Sequence, residues 1–364
     1  MNIKAVFPGK YIQGQGLLNQ LPEMISLLGN KGLLLASPSV KENVIPGFGK
    51  NLVSDRLIIE KFNGECCEKE INRIWKLIGE FEIDVLVGMG GGKVVDTAKI
   101  AADRAGIPVI IVPTIASTDA PCSGCAVTYS EDGEFEFVHY QKMNPSIVMV
   151  DMDIIASAPV RFLVSGMGDA LSTLFEAKSC SKTKSMNECG GLSTLAGLHL
   201  AGLCYETLLK FGLQAKKDNE ANLVTPSLNN ITEANILLSG LGFESSGLAA
   251  AHSIHNGLTA LKETHTFFHG EKVAFGVLSG LYFTEAENEL IEEVYEFCES
   301  VGLPTTLADI GLANTDKNYL MKAAMKTCEL GSPIFHEAGV ITPERVLEAM
   351  LHADAKGIAR KSVL

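Results

Sequence analysis

Three histidines and an aspartate, all from position 169 onward, have the residue types and spacing of a metal site. His252 and His255 stand at positions i and i+3, so both imidazoles lie on one face of a helix. His269 follows further along the chain, and Asp169 lies in the segment Gly166–Leu171. Zn²⁺ accepts carboxylate and imidazole ligands, and three protein ligands with an open fourth position are typical of a catalytic zinc.

Each of these residues also has an ordinary structural interpretation. A histidine on a helix face is often a packed, hydrogen-bonded residue. An aspartate in the first turn of a helix is favoured by capping and by the helix dipole alone. Because the sequence predicts that Asp169 stands at the start of an apolar helix, the spacing leaves both interpretations open at this point.

A glycine-rich turn supplies a second candidate site. Gly88-Met89-Gly90-Gly91-Gly92-Lys93 follows an apolar run and precedes a helical pattern. Glycines let the backbone approach a pyrophosphate, and the N-terminus of the next helix offers unpaired N–H groups. Lys93 stands where the Rossmann fingerprint has its third glycine, and the P-loop pattern is also broken. A plain strand-to-helix turn is the alternative, although ligands in open α/β sheets gather at the carboxyl ends of the strands.

The elements that must position these residues divide the chain into two halves. Continuous apolar runs separated by helical periods predict buried parallel strands at 33–36, 57–59, 84–87, 108–112 and 147–150. Asp132-Gly133, between two alternating runs, predicts a hairpin. The later pattern predicts helices near 166–179, 190–212, 230–240, 245–261, 271–286, 288–301 and 343–356. We therefore expect an α/β domain over residues 1–158 and an all-α domain over residues 159–364.

Composition and charge exclude several classes of protein. The 364 residues are 46% hydrophobic and 20% charged, as in packed globular proteins. The net charge of −13 disfavours nucleic acid and anionic membranes as partners. The most apolar run, residues 107–116, is far shorter than the ~20 residues that span a bilayer. Nine cysteines, an odd number, and the absence of a signal-peptide pattern predict a cytoplasmic protein with reduced thiols.

Several further motifs extend over nearly the whole chain: Pro8–Gly14, Gly90–Lys93, Asp96–Lys99, Pro113–Pro121, Gly168–Ala170, Gly242–Ser245, His252–Gly257 and His269–Gly276. Together they resemble the glycerol dehydrogenase family, the zinc-dependent branch of the iron-type alcohol dehydrogenase and dehydroquinate synthase superfamily. The resemblance implies a Rossmann-like α/β nucleotide-binding domain followed by an all-α metal-binding domain, the dehydroquinate synthase-like fold.

The resemblance also implies a role for each matching residue. Asp169, His252 and His269 are expected to bind the metal. Asp119 matches an acid that contacts the substrate. His255 is a weaker catalytic candidate, as a partner behind the metal ligands or a proton relay, and helix packing is the equal alternative. The residues expected to bind NAD are Ser37, Gly90, Gly91, Gly92, Lys93, Asp96, Thr114, Ser117, Ser123, Cys125 and Tyr129.

Two positions differ from those of relatives. Iron-binding relatives carry an extra histidine four residues after the aspartate, where this chain has Thr173, and the loss of one imidazole favours zinc. Ser37 follows the first predicted strand, where an acid would bond the adenine ribose. A neutral serine removes the repulsion of a 2′-phosphate, but no arginine stands nearby to attract one. We therefore expect NAD to be preferred over NADP by less than is usual.

The activity that the resemblance implies is NAD-dependent oxidation of glycerol and related vicinal diols to dihydroxyacetone at a catalytic zinc, with hydride transfer to nicotinamide. One alternative is a superfamily dehydrogenase that acts on a hydroxy acid or a phosphorylated polyol, which needs converging cationic side chains. Another is an NAD-binding sensor without turnover. The partners expected are a small polyol and further copies of the chain, in an octamer by family analogy.

Overall fold

The described residues form eight strands, and six of these make one parallel sheet. The computed structural model describes residues 2–48 and 56–362. The strands are β1 (Tyr11–Gly14), β2 (Gly32–Ala36), β3 (Leu57–Lys61), β4 (Val85–Gly90), β5 (Val109–Pro113), β6 (Cys125–Tyr129), β7 (Phe135–Tyr140) and β8 (Ile147–Asp151). The sheet has the order β1-β8-β5-β4-β2-β3, and β6 pairs with β7 in a separate antiparallel ribbon. The predicted hairpin is therefore present.

Helices cover both faces of the sheet and make up most of the remaining chain. They are α1 (Leu21–Leu28), α2 (Ile45–Phe48), α3 (Glu68–Glu80), α4 (Gly92–Ala105), α5 (Met152–Ser157), α6 (Val160–Thr183), α7 (Leu195–Glu220), α8 (Pro226–Glu233), α9 (Ser239–Ser246), α10 (Ala250–Leu258), α11 (His269–Phe283), α12 (Asn288–Val301), α13 (Lys317–Thr327) and α14 (Pro343–Lys361). Within residues 2–48 and 56–362, none of these helices is both long enough and apolar enough to span a bilayer.

Burial of both sheet faces explains the continuous apolar strands. Leu34, Val87 and Ile110 belong to the core cluster that also contains Leu21 and Ile25 of α1. Neighbouring strand residues point to the opposite face, since successive side chains in a strand alternate. On that face α4 lies so close to β4 that a Cβ atom at Gly88 would be 2.5 Å from the Cβ of Ala98.

The chain divides into two compact units, each discontinuous in sequence. The α/β unit contains Val6–Pro159 and Asp218–Gly240, and the helical unit contains the segment up to Ala5, Val160–Lys217 and the chain from Leu241 onward. The expected boundary at 158/159 lies next to the break after Pro159. Residues 218–240 belong to the α/β unit, and two of their side chains donate hydrogen bonds to other parts of that unit. Asn219 Nδ2 donates to the Ala156 carbonyl and Asn235 Nδ2 to the Ala116 carbonyl, both at 3.0 Å.

The predicted fold class is confirmed, and each predicted strand overlaps an observed one. Five of these strands and helices were not predicted: β1, α1, α2, α5 and α13. β1 is an edge strand of half-buried residues, so it lacks an apolar run. The predicted position of one helix start was wrong: α6 begins at Val160 rather than near 166, so Asp169 lies inside the helix and does not cap it.

Candidate active site

Two glycines allow α6 and α11 to cross at backbone contact. A Cβ atom at Gly270 would lie 1.7 Å from the Ser165 carbonyl oxygen, and one at Gly168 would lie 2.3 Å from the Gly270 carbonyl oxygen. A side chain at either position would hold the helices apart. Asp169 follows Gly168 on α6, and His269 precedes Gly270 on α11. The crossing therefore brings Asp169 and His269 together. Asp169 Oδ1 lies 3.0 Å from His269 Nε2.

His252 of α10 completes a cluster of three potential metal ligands. Its Nε2 atom lies 3.3 Å from Asp169 Oδ1. One ligand atom from each of Asp169, His252 and His269 lies within 4.8 Å of the other two. Asp169 is 1% exposed, whereas 36% of the His269 side chain is exposed. The structure therefore brings the three predicted ligands together. The Asp169 carboxylate is buried, and the cluster is accessible from the side of His269.

The electrostatics of the cluster keep its carboxyl group ionised. Burial raises the pKa of Asp169, but the charge of His269 and the hydrogen bonds from both imidazoles outweigh burial and hold this pKa well below its usual range. Burial lowers the pKa of His252, and the carboxylates of Glu176 and Asp169 more than reverse that effect, so this pKa lies well above its usual value. Asp169 is thus present in the anionic form that a metal requires.

Glu176 holds His252 from the side opposite Asp169. Glu176 Oε2 lies 2.6 Å from His252 Nδ1. Glu176 Oε1 accepts the backbone N–H groups of Ala249 and His252 at 2.8 and 2.9 Å. Asp169 and Glu176 are seven residues apart on α6, so one face of that helix carries both. Glu176 was not predicted from the sequence, where its i, i+7 spacing from Asp169 was the available signal.

His255 stands behind His269. Its Nε2 atom is 3.2 Å from His269 Nδ1, and its Nδ1 atom is 3.0 Å from Asn256 Oδ1. Burial, together with the charges of His269 and Lys272, lowers the pKa of His255 well below its usual value. These contacts make His255 a hydrogen-bonding neighbour of His269, and its catalytic role stays a prediction.

An ion pair fixes the first turn of α11, which begins at His269. Glu271 accepts the N–H of Phe268 at 2.7 Å and forms a two-point pair with Arg161 at 2.6 and 2.8 Å. The Arg161 guanidinium also lies over the Phe268 ring, 4.4 Å from its centroid. Sequence reasoning did not find this pair, because its members are 110 residues apart and no local pattern links them.

The glycine-rich turn lies where three neighbouring strands end. Gly90 ends β4, and Gly91 immediately precedes α4. The Ser37 N–H, after β2, donates to the Met89 carbonyl, and the Thr114 N–H, after β5, donates to the Gly90 carbonyl, both at 3.1 Å. The predicted residues Ser37 and Thr114 therefore flank the turn, as parallel strands require. A Cβ atom at Gly92 would meet nothing within 4 Å, so the start of α4 has open space beside it.

Lys93 and Tyr129 lie together beside this turn. Lys93 Nζ bonds the Glu65 carboxylate and lies 5.4 Å from the centroid of the Tyr129 ring. Half of the Lys93 side chain is exposed. Burial, followed by the charges of Asp96 and Glu65, raises the pKa of Tyr129 above its usual value, so the phenol stays neutral.

A buried lysine organises the loop that follows β5. Lys99 is 1% exposed, and its Nζ donates to the carbonyls of Ala120 at 2.8 Å, of Ser123 at 3.2 Å and of Cys125. Asp96 Oδ1 lies 3.4 Å from the same ammonium group. Lys99 thus holds together the loop that contains Ser123 and Cys125, two residues predicted to bind NAD. This role of Lys99 was not predicted from the sequence.

The carboxylates of Asp96 and Asp119 both accept hydrogen bonds from other residues of the protein. Asp96 Oδ2 accepts the Val127 N–H at 3.1 Å, and burial raises the pKa of Asp96 against the effect of Lys99. Asp119 is buried, and its Oδ2 accepts the Ser239 hydroxyl at 2.7 Å. The contacts of Asp96 indicate support of the loop, and its predicted role in cofactor binding stays a prediction. Ser117 lies half-buried in the same loop as Asp119.

Comparison with known proteins agrees with the geometry. Residues 8–152 match the family of iron-containing alcohol dehydrogenases. The chain is 50% identical over 359 residues to the glycerol dehydrogenase of Thermotoga maritima, with 98% of each chain covered. It is 46% identical over 354 residues to that of Citrobacter freundii, with 96% of each chain covered. This chain belongs to the glycerol dehydrogenase family.

A solved structure extends the agreement to the glycerol dehydrogenase fold. The crystal structure of a probable glycerol dehydrogenase from Sinorhizobium meliloti 1021 matches with a TM-score of 0.93 and 43% identity, covering 98% of this chain and 99% of that one. The family resemblance seen in the motifs is therefore confirmed, and with it the α/β and all-α fold class. The residue roles carried over from the glycerol dehydrogenase family stay predictions.

Replacing Gly270 by alanine should disrupt the cluster, because the new methyl group would meet the Ser165 carbonyl at 1.7 Å. Overpacking costs about 1–3 kcal/mol or more, so we expect a lower thermal midpoint and a lower content of bound metal. Gly202→Ala on α7 is the control, because its Cβ meets nothing within 4 Å. It should be neutral or stabilising by up to ~1 kcal/mol. Equal thermal midpoints and metal contents for both variants would contradict the inference that the crossing of α6 and α11 requires a glycine at position 270.

Replacing Lys99 by methionine should loosen the loop after β5. The change leaves three carbonyls and the Asp96 carboxylate buried without their cation, and breaking such a buried pair costs about 3–5 kcal/mol. Thermal unfolding and the rate of proteolysis within residues 114–129 measure the effect. Lys76→Met, at an exposed position of α3, is the matched control. Wild-type resistance to proteolysis in Lys99→Met would show that the lysine does not organise the loop.

Proposed function

We propose that the chain oxidises glycerol to dihydroxyacetone, with NAD as the hydride acceptor, at a zinc ion held by Asp169, His252 and His269. The observation that carries the proposal is the convergence of these three ligand atoms within 4.8 Å. The full reaction converts glycerol and NAD⁺ into dihydroxyacetone, NADH and one proton. Membership of the glycerol dehydrogenase family supports the same chemistry.

The chemistry of the donor set fits zinc. One carboxylate and two imidazoles are ligands that zinc accepts, and three protein ligands leave a position for a substrate. Thr173 stands four residues after Asp169, at the position where iron-binding relatives supply a further imidazole. A bound zinc ion would act as a Lewis acid that lowers the pKa of a substrate hydroxyl.

The protein's own residues prepare this site in advance. Asp169 supplies a permanent negative charge, since its pKa lies far below neutral pH. Glu176 orients His252, and His255 orients His269, so both ligating rings are held before a metal arrives. The exposed part of the His269 side chain marks the side from which a polyol can approach.

The glycine-rich turn and the loop after β5 fit a dinucleotide. Gly92, the first residue of α4, lies beside open space, and the first N–H groups of a helix have no partner within the helix, which suits a pyrophosphate. Lys93 would exchange the Glu65 carboxylate for that pyrophosphate. NAD supplies the hydride acceptor, and the protein supplies placement. We assign the lining of this site to Ser37, Gly90, Asp96, Thr114, Ser117, Ser123, Cys125 and Tyr129.

Three further assignments follow from the family. Asp119, oriented by Ser239, is the proposed substrate contact of the α/β unit. A cytoplasmic location is supported by the nine cysteines, none of which forms a disulfide in the described residues. We assign the chain to a homo-oligomer, an octamer by family analogy, and light scattering of the purified protein tests that assignment.

Activity should depend on the metal and on His252. Chelation should abolish NADH formation from glycerol, measured by absorbance, and zinc should restore it better than Fe²⁺. His252→Ala should lose both bound metal and turnover, whereas His199→Ala, at an exposed position of α7, should keep both. Activity that survives His252→Ala would exclude the proposed ligand set.

Turnover of hydroxy acids or sugar phosphates in place of glycerol would favour the alternative dehydrogenase, and NAD binding without any turnover would favour the sensor.

Introducing an acid at Ser37 should sharpen the preference for NAD. An aspartate after β2 can bond the ribose hydroxyls and repels a 2′-phosphate, so Ser37→Asp should raise the ratio of kcat/KM with NAD to that with NADP. The control is Ser39→Asp, which adds the same charge two residues along. An unchanged ratio in Ser37→Asp, or an equal rise in Ser39→Asp, would show that Ser37 does not face the ribose.

A further inference from the structure

We propose that Glu176 is a positioning residue that sets the tautomer of His252 and thereby directs the Nε2 lone pair of that ring toward the metal. The inference rests on the proposed function, because it takes His252 to be a metal ligand. Glu176 itself does not ligate. It lies on the far side of the imidazole from Asp169, with Oε2 at 2.6 Å from Nδ1, while Asp169 Oδ1 lies 3.3 Å from Nε2.

The contacts of Glu176 place the shared proton on the imidazole. Its Oε1 atom already accepts two backbone N–H groups, from Ala249 and His252, at 2.8 and 2.9 Å. A carboxylate accepts hydrogen bonds and donates none, so in the 2.6 Å contact Nδ1 donates its N–H to Glu176. In the metal-free protein Nε2 donates to Asp169, and a bound metal would replace that proton, so that Nε2 supplies the lone pair while Nδ1 keeps its N–H. That nitrogen faces the ligand oxygen of Asp169.

The same carboxylate also holds the start of the helix that carries His252. α10 begins at Ala250, and its N-cap residue Ala249 has no side-chain cap. The first N–H groups of a helix need partners from elsewhere. Glu176 bonds those of Ala249 and His252, and Glu337 bonds that of Ala250 at 3.1 Å. Two buried glutamates from distant parts of the chain thus replace a local cap, and one of them also holds the metal-ligand ring.

Glu337 provides a matched control for Glu176. Both side chains are buried, at 7% and 1% exposure, and both accept backbone N–H groups at the same helix end. Glu337 bonds the backbone of Ala250 rather than an imidazole of the cluster. An effect common to both substitutions therefore reports the helix end, and an effect confined to Glu176 reports the ring.

A glutamine substitution separates the two roles of Glu176, which are to accept the backbone N–H groups and to accept the N–H of the His252 ring. If the amide oxygen of Glu176→Gln faces the two backbone N–H groups, its NH₂ group faces Nδ1 and donates to it. The proton of the neutral ring then moves to Nε2, where it blocks the metal. If the amide turns over, its NH₂ group meets two backbone donors instead. In Glu337→Gln the amide oxygen can accept the Ala250 N–H as before, and no ring is involved.

The experiment compares zinc affinity in the wild type, Glu176→Gln and Glu337→Gln. Each metal-free protein is titrated with zinc against a chromogenic chelator, without NAD or substrate. Loss of such a supporting partner lowers metal affinity about 10–100-fold, so we expect that loss in Glu176→Gln and an affinity near the wild-type value in Glu337→Gln. The zinc concentration that gives half-maximal activity should shift by the same factor. The thermal midpoints of the metal-free proteins show whether the fold is retained.

The outcomes separate this inference from the proposed function. Wild-type affinity in Glu176→Gln, or equal losses in both variants, overturns the inference and leaves the proposed function standing. A wild-type chain that binds no zinc overturns both. If Glu176→Gln does not fold, a crystal structure of the zinc-loaded wild type decides. Zinc on Nε2 with Nδ1 bonded to Glu176 supports the inference, and zinc on Nδ1, or a Glu176 carboxylate turned away from the ring, overturns it.

Discussion

The candidate metal site depends on the backbone contact between α6 and α11. Gly168 and Gly270 carry no Cβ where one would lie 2.3 Å or less from a carbonyl oxygen, and the residues beside them on the chain, Asp169 and His269, meet as a result. Close-packed backbone leaves little room for adjustment, so the distance between the carboxylate and the imidazole is set by the crossing rather than by flexible side chains. Glu176 contacts the His252 ring and His255 contacts the His269 ring at their far sides, and the Arg161–Glu271 pair fixes the first turn of α11.

Much of this structure could be predicted from local pattern. Strands buried on both faces must be apolar throughout, and runs such as 33–36 and 147–150 have that composition. The glycine-rich turn could be placed at a strand end because it directly follows one of these apolar runs. The three candidate ligands, Asp169, His252 and His269, were predicted from residue type and from family motifs.

The remaining features depend on contacts that no local pattern encodes. Asp169 was placed at a helix start, but the sequence from Val160 onward continues one helix without a break. Glu176 and Lys99 are charged residues whose burial is possible because distant groups pair with them, and single-sequence periodicity does not report such partners. Residues 218–240 contact the rest of the α/β unit partly through the side-chain amides of Asn219 and Asn235, which have no signature in composition.

That late segment has a consequence for the order in which the protein is made. A ribosome that has produced the whole strand-forming region, up to Asp151, has not yet produced Asn235 and Ser239, which bond Ala116 and Asp119. Nascent domains generally fold as units from the N-terminus, yet here the first unit stays incomplete until the chain has passed Gly240. The loop that contains Asp119 therefore gains its final partners only after α6 and α7 have also been synthesised.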